Sequence, residues 1–268
     1  MLVLVFGSGI FHVMYSYIST NINVMLLDIA LHENKGDPAI TIGEMTLIKR
    51  MNKTLVYYCD FNICKNNHLF CEDLYRKQTN LTMLLRDRHS LQLAEKHFAG
   101  QPKLILAPDM AFQIGPVRRF MKPFFDVLWI RRTDRERVGD VIPTLPTDIT
   151  IRIGDWLGWR TPHTHKHMEN AYLIANNGLV FLQRGRVVIT DRLHGHILST
   201  LLDIPHVILN NKWNKVSNYH NTWTKSLKNT RVANNASHAI DLARKLLIEY
   251  SDVLPEKVPF MDVNDVLN

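Results

Sequence analysis

The sequence predicts an α/β protein, and three stretches carry that prediction. Val187 to Asn211 reads strand, sharp turn, helix, strand; Asn23 to Cys59 reads strand, capped helix, strand; and Asp126 to Ile130 is a hydrophobic run that ends in charge. Short apolar runs rich in β-branched residues suit buried strands, and helices spaced between them make parallel βαβ units.

In the first stretch Val187, Val188 and Ile189 form the strand, and Thr190 or Asp191 can cap the helix that follows. Leu193, Ile197, Leu198, Leu201 and Leu202 recur at the helical period; Pro205 ends the helix and His206 to Leu209 is the next strand. At about 100° per residue, His194 falls within the apolar face, while Arg192, His196 and Ser199 point the other way. A helix that starts where a parallel strand ends puts its first residues at the carboxyl edge of the sheet, where α/β folds bind ligands. Its free first-turn amides favour an anion there. The bland alternative is a satisfied core histidine and a solvated arginine. Convergence of an arginine, two histidines and a helix N-terminus makes Arg192 and His194 candidates for function all the same.

Taken from the start, residues 1–22 are apolar and no Lys, Arg, Asp or Glu precedes Asp28. They lack the basic region and cleavage site of a secretory signal, and Ser8, His12, Ser16, Ser19, Thr20 and Asn21 interrupt the run of about 20 apolar residues that a spanning helix needs. An irregular leader over 1–22 is expected, then a buried first strand at Asn23 to Leu27; an organellar signal anchor is the alternative. Gly36-Asp37-Pro38 starts a helix, with Asp37 as cap and Pro38 in the first helical position. Leu55 to Cys59 is a strand, residues 60–79 show no sustained period, and Asn80 to Leu85 is again a strand. Ser90 is read as the cap of a helix through Phe98, and Leu104 to Leu106 as a strand with Asp109 at its end.

Proline-flanked and basic, Gly115 to Pro123 is the expected linker. Beyond the Asp126 to Ile130 strand, Arg131, Arg132, Thr133 and Asp134 occupy the same kind of strand end as Arg192. Ile149 to Ile153 is a further strand, Met168 to Asn176 a helix with Gly178 as its C-cap, and Lys212 to Lys228 an irregular stretch whose Asn and aromatic residues suit contact with sugar. Ser237 caps an amphipathic helix through Tyr250, and the tail over 251–268 is expected to be loosely ordered.

A formal charge of +7 favours anionic partners, among them nucleic acid, an acidic membrane and a phosphorylated metabolite. No zinc-finger spacing, aromatic RNA-binding signature or Lys/Arg block supports the first. Cys59, Cys64 and Cys71 have neither an even count nor C-x-x-C spacing, so they indicate neither a disulfide framework nor a zinc site. His163, His165 and His167 alternate in a loop read as a polar helix entrance rather than a metal site.

ITDRLHGHILSTLLDIPHVILNNKWNKVSNYHNTW, from Ile189, closely resembles the most characteristic block of the polysaccharide pyruvyl transferase family. ENKGDPAITIGE, LLRDRHSLQLAEKHF, APDMAF and LWIRRTDRE resemble further blocks of the family in the same order. The resemblance implies two Rossmann-like domains in a GT-B-like arrangement, over 23–115 and 126–250, joined by a linker at 116–125. It also implies transfer of a pyruvyl group from phosphoenolpyruvate to sugar hydroxyls of a polysaccharide or glycan, forming a ketal, as in exopolysaccharide biosynthesis. Neither a metal nor a cofactor beyond that donor is called for, and no nucleic acid.

Residue by residue, the family's R-L-H motif falls on Arg192, Leu193 and His194. It makes Arg192 and His194 catalytic, with Arg192, Leu193, His194, Arg132 and, as fallback, Arg131 binding the donor. Asp37, Asp109, Asp134 and His196 are assigned to the acceptor or cleft, and Asp191 to orienting or capping. The chain departs from the family between Cys59 and Leu81, where no glycine-rich loop is found, so the N-terminal domain is read as shortened. Two rival readings are a GT-B glycosyltransferase using a nucleotide sugar and a non-catalytic carbohydrate-binding remnant. A cytoplasmic location is favoured, with a Golgi-type lumen and an N-terminal membrane anchor as the alternative.

Overall fold

The computed structural model describes residues 2–5, 24–27, 35–50, 55–59, 82–98, 103–139, 141–157, 159–160 and 168–260. The chain divides into two compact units: 1–33, 37–115 and 162–175 form the first, and 34–36, 116–161 and 176–268 the second. Both are α/β units built on a five-stranded parallel sheet.

In the first unit the strands are β1 (Leu2–Val5), β2 (Val24–Leu27), β3 (Leu55–Cys59), β4 (Thr82–Leu85) and β5 (Lys103–Leu106), in the order β3-β2-β1-β4-β5. That is the Rossmann order. The expected irregular leader is corrected at residues 2–5: Leu2, Val3 and Leu4 pair with Val24, Met25 and Leu26, and Leu4 and Val5 pair with Thr82 and Met83. Helix α1 (Gly36–Arg50) begins at Gly36, so Asp37 and Pro38 lie inside its first turn. Helix α2 (Arg88–Phe98) is capped by Asp87, whose carboxylate accepts from the Ser90 amide at 2.8 Å and the Ser90 hydroxyl at 3.0 Å. Ser90 is therefore the capped residue, not the cap. The stretch 60–79 and His163, His165 and His167 lie outside the described residues.

The second unit contains β6 (Phe125–Ile130), β7 (Ile151–Gly154), β8 (Gly185–Thr190), β9 (His206–Ile208) and β10 (Thr230–Val232), in the order β10-β9-β8-β6-β7. Read from β7, this is the 2-1-3-4-5 order of doubly wound sheets, whose direction reverses between β6 and β8. Val127, Trp129, Val187, Ile189 and Val207 alternate along three strands onto one face, where Ala239, Ile240, Ala243 and Leu246 of α6 (Ala236–Glu249) cover them. Leu128, Ile130, Val188 and Ile208 are buried too, as parallel strands covered on both faces must be.

Helix α3 (Met168–Leu182) runs past Gly178, which is not a C-cap: a Cβ there would sit 2.8 Å from the Lys35 Cβ. Asn235, not Ser237, caps α6 by accepting from the His238 amide at 2.9 Å. The supposedly irregular stretch after Lys212 holds the short helix α5 (Lys215–Tyr219) and a π-helical turn, His220–Thr224. The expected linker is tied down, since Val117 N donates to Leu201 O at 2.8 Å and the Phe120 and Met121 amides to Gln183 Oε1 at 2.7 and 3.1 Å. The tail is likewise held as far as Phe260: Val258 N donates to Pro123 O at 2.9 Å, and the Phe260 ring meets Phe124 edge-on at 5.5 Å. No described helix is long and apolar enough to cross a membrane.

Candidate functional site

Three neighbouring strands of the second sheet end side by side, Ile130 pairing with both Thr190 and Gly154. The residues that follow them, Arg131 and Arg132, Asp191 and Arg192, and Asp155, therefore share the carboxyl edge where the sheet reverses direction. Helix α4 (Leu193–Leu201) starts on that edge with Arg192 as its N-cap, one or two residues past the expected Thr190 or Asp191, and the Arg192 side chain makes no capping hydrogen bond. Thr190 Oγ1 accepts from the Arg192 amide at 3.1 Å, and Gly195 keeps that hydroxyl in place, because a Cβ at 195 would lie 2.3 Å from it.

Arg192 does not face solvent; it is 2% exposed. Its Nε donates to Asp155 Oδ1 at 2.7 Å, and its Nη2 to Asp155 Oδ2 at 2.5 Å and to Asp134 Oδ2 at 3.2 Å. Burial opposes the guanidinium charge, but the Asp155 and Asp134 carboxylates outweigh it and hold the Arg192 pKa above its ordinary value. Asp155 shows the reciprocal balance: burial is outweighed by Arg192 and by the Thr133 hydroxyl and amide, so its pKa is lowered.

Arg132 makes a second fork on Asp134, with Nε to Oδ1 and Nη2 to Oδ2 both at 2.9 Å, and its Nη2 lies 3.1 Å from Glu136 Oε2. Burial of Asp134 is likewise outweighed, chiefly by the bond from Arg132, and its pKa is lowered. The Arg132 amide donates to Asp191 Oδ1 at 3.0 Å; burial nevertheless pushes the Asp191 carboxyl up to about 6. Glu136 extends the network, accepting from Asn211 Nδ2 at 3.1 Å and Lys215 Nζ at 2.7 Å. Arg132, Arg192 and Lys215 thus stand against Asp134, Asp155, Asp191 and Glu136. The edge is a nearly balanced charge network.

His194 lies in the first turn of α4, buried, and Gly36 packs directly on it: a Cβ at 36 would fall 2.1 Å from the His194 Cβ. Leu193 is buried beside it. Arg131 is outside the network, its Nη2 donating to Gly139 O at 3.0 Å. Asp37 and Asp109 belong to the first unit, where Asp109 caps the turn Met110–Ile114 through the Ala111 amide at 3.0 Å and stands 3.6 Å from Arg86 Nη1. Asp155, Glu136, Asn211 and Lys215 escaped the sequence reading. Asp155 follows the strand expected over Ile149 to Ile153, the same strand-end position that singled out Arg132 and Arg192.

His196 requires a correction, being fully buried rather than presented to a cleft. Its Nδ1 is 2.7 Å from His206 Nε2 and its Nε2 2.8 Å from Thr224 Oγ1, which is 3.0 Å from His220 Nδ1. His206 Nδ1 faces the Ile204 carbonyl at 2.7 Å and must donate to it, so its Nε2 accepts from His196 Nδ1–H. His196 Nε2 in turn accepts from the Thr224 hydroxyl, whose oxygen accepts from His220. The direction holds only while the imidazoles are neutral, and burial enforces that, driving His196 well below its ordinary pKa and His206 down to about 4. Among the described residues no group of His, Cys, Asp or Glu side chains could hold a metal ion.

Residues 65–212, more than half of the chain, match polysaccharide pyruvyl transferase. The chain belongs to that family. Pyruvyl transferase 1 of Schizosaccharomyces pombe is 33% identical over 196 residues, covering 67% of this chain and 48% of that protein. The provisionally named pyruvyl transferase EpsO of Bacillus subtilis is 28% identical over 193 residues, covering 65% of this chain and 60% of its own. This pyruvyl transferase family member therefore spans about half the length of the first relative. A crystal structure of a functionally uncharacterised Klebsiella pneumoniae protein is similar with a TM-score of 0.60 at 17% identity, covering 84% of this chain and 97% of that one; it bears on the fold alone.

Proposed function

We propose that this chain transfers a pyruvyl group from phosphoenolpyruvate to two hydroxyls of a sugar in a polysaccharide or glycan, forming a ketal. The observation that carries this reading is the position of Arg192, Leu193 and His194, at the start of α4 on the reversal edge of a sheet, in a member of this family. His194 acts as general acid, placing a proton on the donor's methylene carbon. One sugar oxygen attacks the adjacent carbon, phosphate leaves with the bridging oxygen, and attack by a second hydroxyl closes the ketal and releases the hydroxyl protons. Asp155 fixes the Arg192 fork. The donor's anionic groups displace Asp134 from Arg192 and Glu136 from Arg132, the contacts at 3.2 and 3.1 Å. Asp134, still held by the Arg132 fork, accepts from an acceptor hydroxyl with the lone pair that Arg192 gives up. A GT-B-like arrangement of the two units belongs to the same reading.

The balanced charge around Arg192 favours a second reading, a non-catalytic carbohydrate-binding relative in which the ion pairs are purely structural. Calorimetric titration with phosphoenolpyruvate at low salt separates them. Saturable binding, weakened at least tenfold by Arg192→Lys and retained without phosphate release by His194→Gln, is the expected result. Absence of binding by the folded native chain would overturn the transferase reading, and displacement of the donor by a nucleotide sugar would replace it with glycosyl transfer.

A further inference from the structure

Beside the charge network, at the carboxyl ends of β9 and β10, lies a cavity of about 270 Å³. Ile208, Val216 and Ala233, all buried, form its floor. The floor is fixed by parallel pairing of Ile208 with Val232 and by the Ala233 amide, which donates to Ile208 O at 2.9 Å. Its polar lining is Asn210, Ser217 and Asn234, and no lining residue is ionisable or aromatic.

Two of those polar groups are already oriented. Asn210 Nδ2 donates to Asn214 Oδ1 at 2.5 Å, while its Oδ1 accepts from the Asn211 amide at 3.2 Å. Ser217 Oγ donates to Asn214 O at 3.1 Å, which leaves the hydroxyl oxygen to accept. The Asn234 carboxamide, exposed at the rim, makes no hydrogen bond among the described residues and offers both donor and acceptor. The lining adjoins the network in sequence, because Asn211 and Lys215, which hold Glu136, are next to Asn210 and Val216 of the cavity.

We infer that this cavity is a subsite for one uncharged pyranose ring, the inference resting on the transferase reading for the identity of its ligand as part of the acceptor. An apolar floor under a ring of amide and hydroxyl groups matches a sugar, which has C–H faces and an equatorial belt of hydroxyls. Without an ionisable lining group the site gains nothing from an acidic sugar and leaves its carboxylate unpaired. Without an aromatic side chain it gives a nucleobase no stacking platform. The volume falls just below the range of about 300–1,000 Å³ for drug-sized ligands, so a single ring enters and a longer glycan projects outward.

The test is a titration of isotopically labelled full chain, followed by amide chemical shifts, with methyl glycosides of glucose, galactose and mannose, then with glucuronate and with adenosine. At least one neutral glycoside is expected to shift Asn210, Ser217 and Asn234, with glucuronate binding at least fivefold more weakly. Ser217→Leu fills the cavity and Asn234→Leu removes its rim amide. Each is expected to weaken glycoside binding at least fivefold while leaving phosphoenolpyruvate affinity as in the native chain; Asn234, being exposed, supplies the answer even if Ser217→Leu misfolds. Shifts confined to other residues, equal response to glucuronate, preference for adenosine, or no glycoside binding at all would overturn the subsite. Phosphoenolpyruvate binding measured in the same samples reports separately on the transferase reading.

Discussion

Acidification is expected to destabilise the second unit through the histidine relay. His206 falls from an ordinary pKa of 6.5 to about 4. A histidine depressed in this way binds fewer protons folded than unfolded, so stability is complete above pH 6.5 and is lost as pH falls from there towards 4. Going from pH 7 to pH 5 costs about 2 kcal/mol from this residue alone, and His196, shifted in the same direction, adds to it. Asp191 opposes the trend: its carboxyl, raised from 3.8 to about 6, takes up a proton in the folded state first, so stability is gained as pH falls through 6. That gain is about 1 kcal/mol over the same interval. Urea unfolding at pH 7, 6 and 5, at constant ionic strength, should therefore show a net loss in the native chain and a deeper one, by about 1 kcal/mol, in Asp191→Asn. The lowered carboxylates Asp134 and Asp155 titrate below this window and do not obscure it. If Asp191→Asn is as stable at pH 5 as at pH 7, the relay does not hold its histidines neutral and the tautomer assignment fails.

Three further outcomes follow from the same geometry. Asp155→Ala removes the two shortest carboxylate bonds of a guanidinium that is 3% exposed, leaving the one to Asp134, and should cost about 3 kcal/mol in urea unfolding, whereas Asp155→Asn should recover part of that loss. Gly36→Ala drives a Cβ into the His194 side chain, so a loss of about 1–3 kcal/mol is expected, together with a larger proportional fall in kcat than the loss of folded protein explains. Asn235→Ala removes the α6 cap and should lower stability by about 1 kcal/mol without altering phosphoenolpyruvate affinity; thermal melts and calorimetry check the two halves.

Periodicity and strand ends made the two α/β halves legible, and with them the edge that carries Arg132, Asp134, Asp191 and Arg192. Caps were misjudged by one to three residues, as at Asp87 and Asn235, because several polar residues stood near each helix start and the exit angle of the chain decides which one reaches the free amides. Asp155 remained hidden for a different reason: it meets Arg192 across 37 residues, and no local pattern encodes such a pairing. Burial of Arg192 was hidden with it, since an arginine is expected outside until its carboxylates are known. His196 was misplaced because the reading gave α4 one covered face. Helix α5 and the π turn, assembled from a stretch that looked irregular, cover the other.

The return of the tail to β6 bears on the order in which the second unit can be completed. Lys257 reaches Asp126 across 131 residues, and Phe260 packs against the rings of Phe124 and Phe125. During synthesis β6 must wait for residues 257–260, with Asp126 lacking one of its cations and the Phe124 and Phe125 rings lacking their Phe260 partner in the interval. Contacts of such long sequence separation are closed late and at an entropic cost. The second unit is thus completed along β6 only once Lys257 and Phe260 are in place.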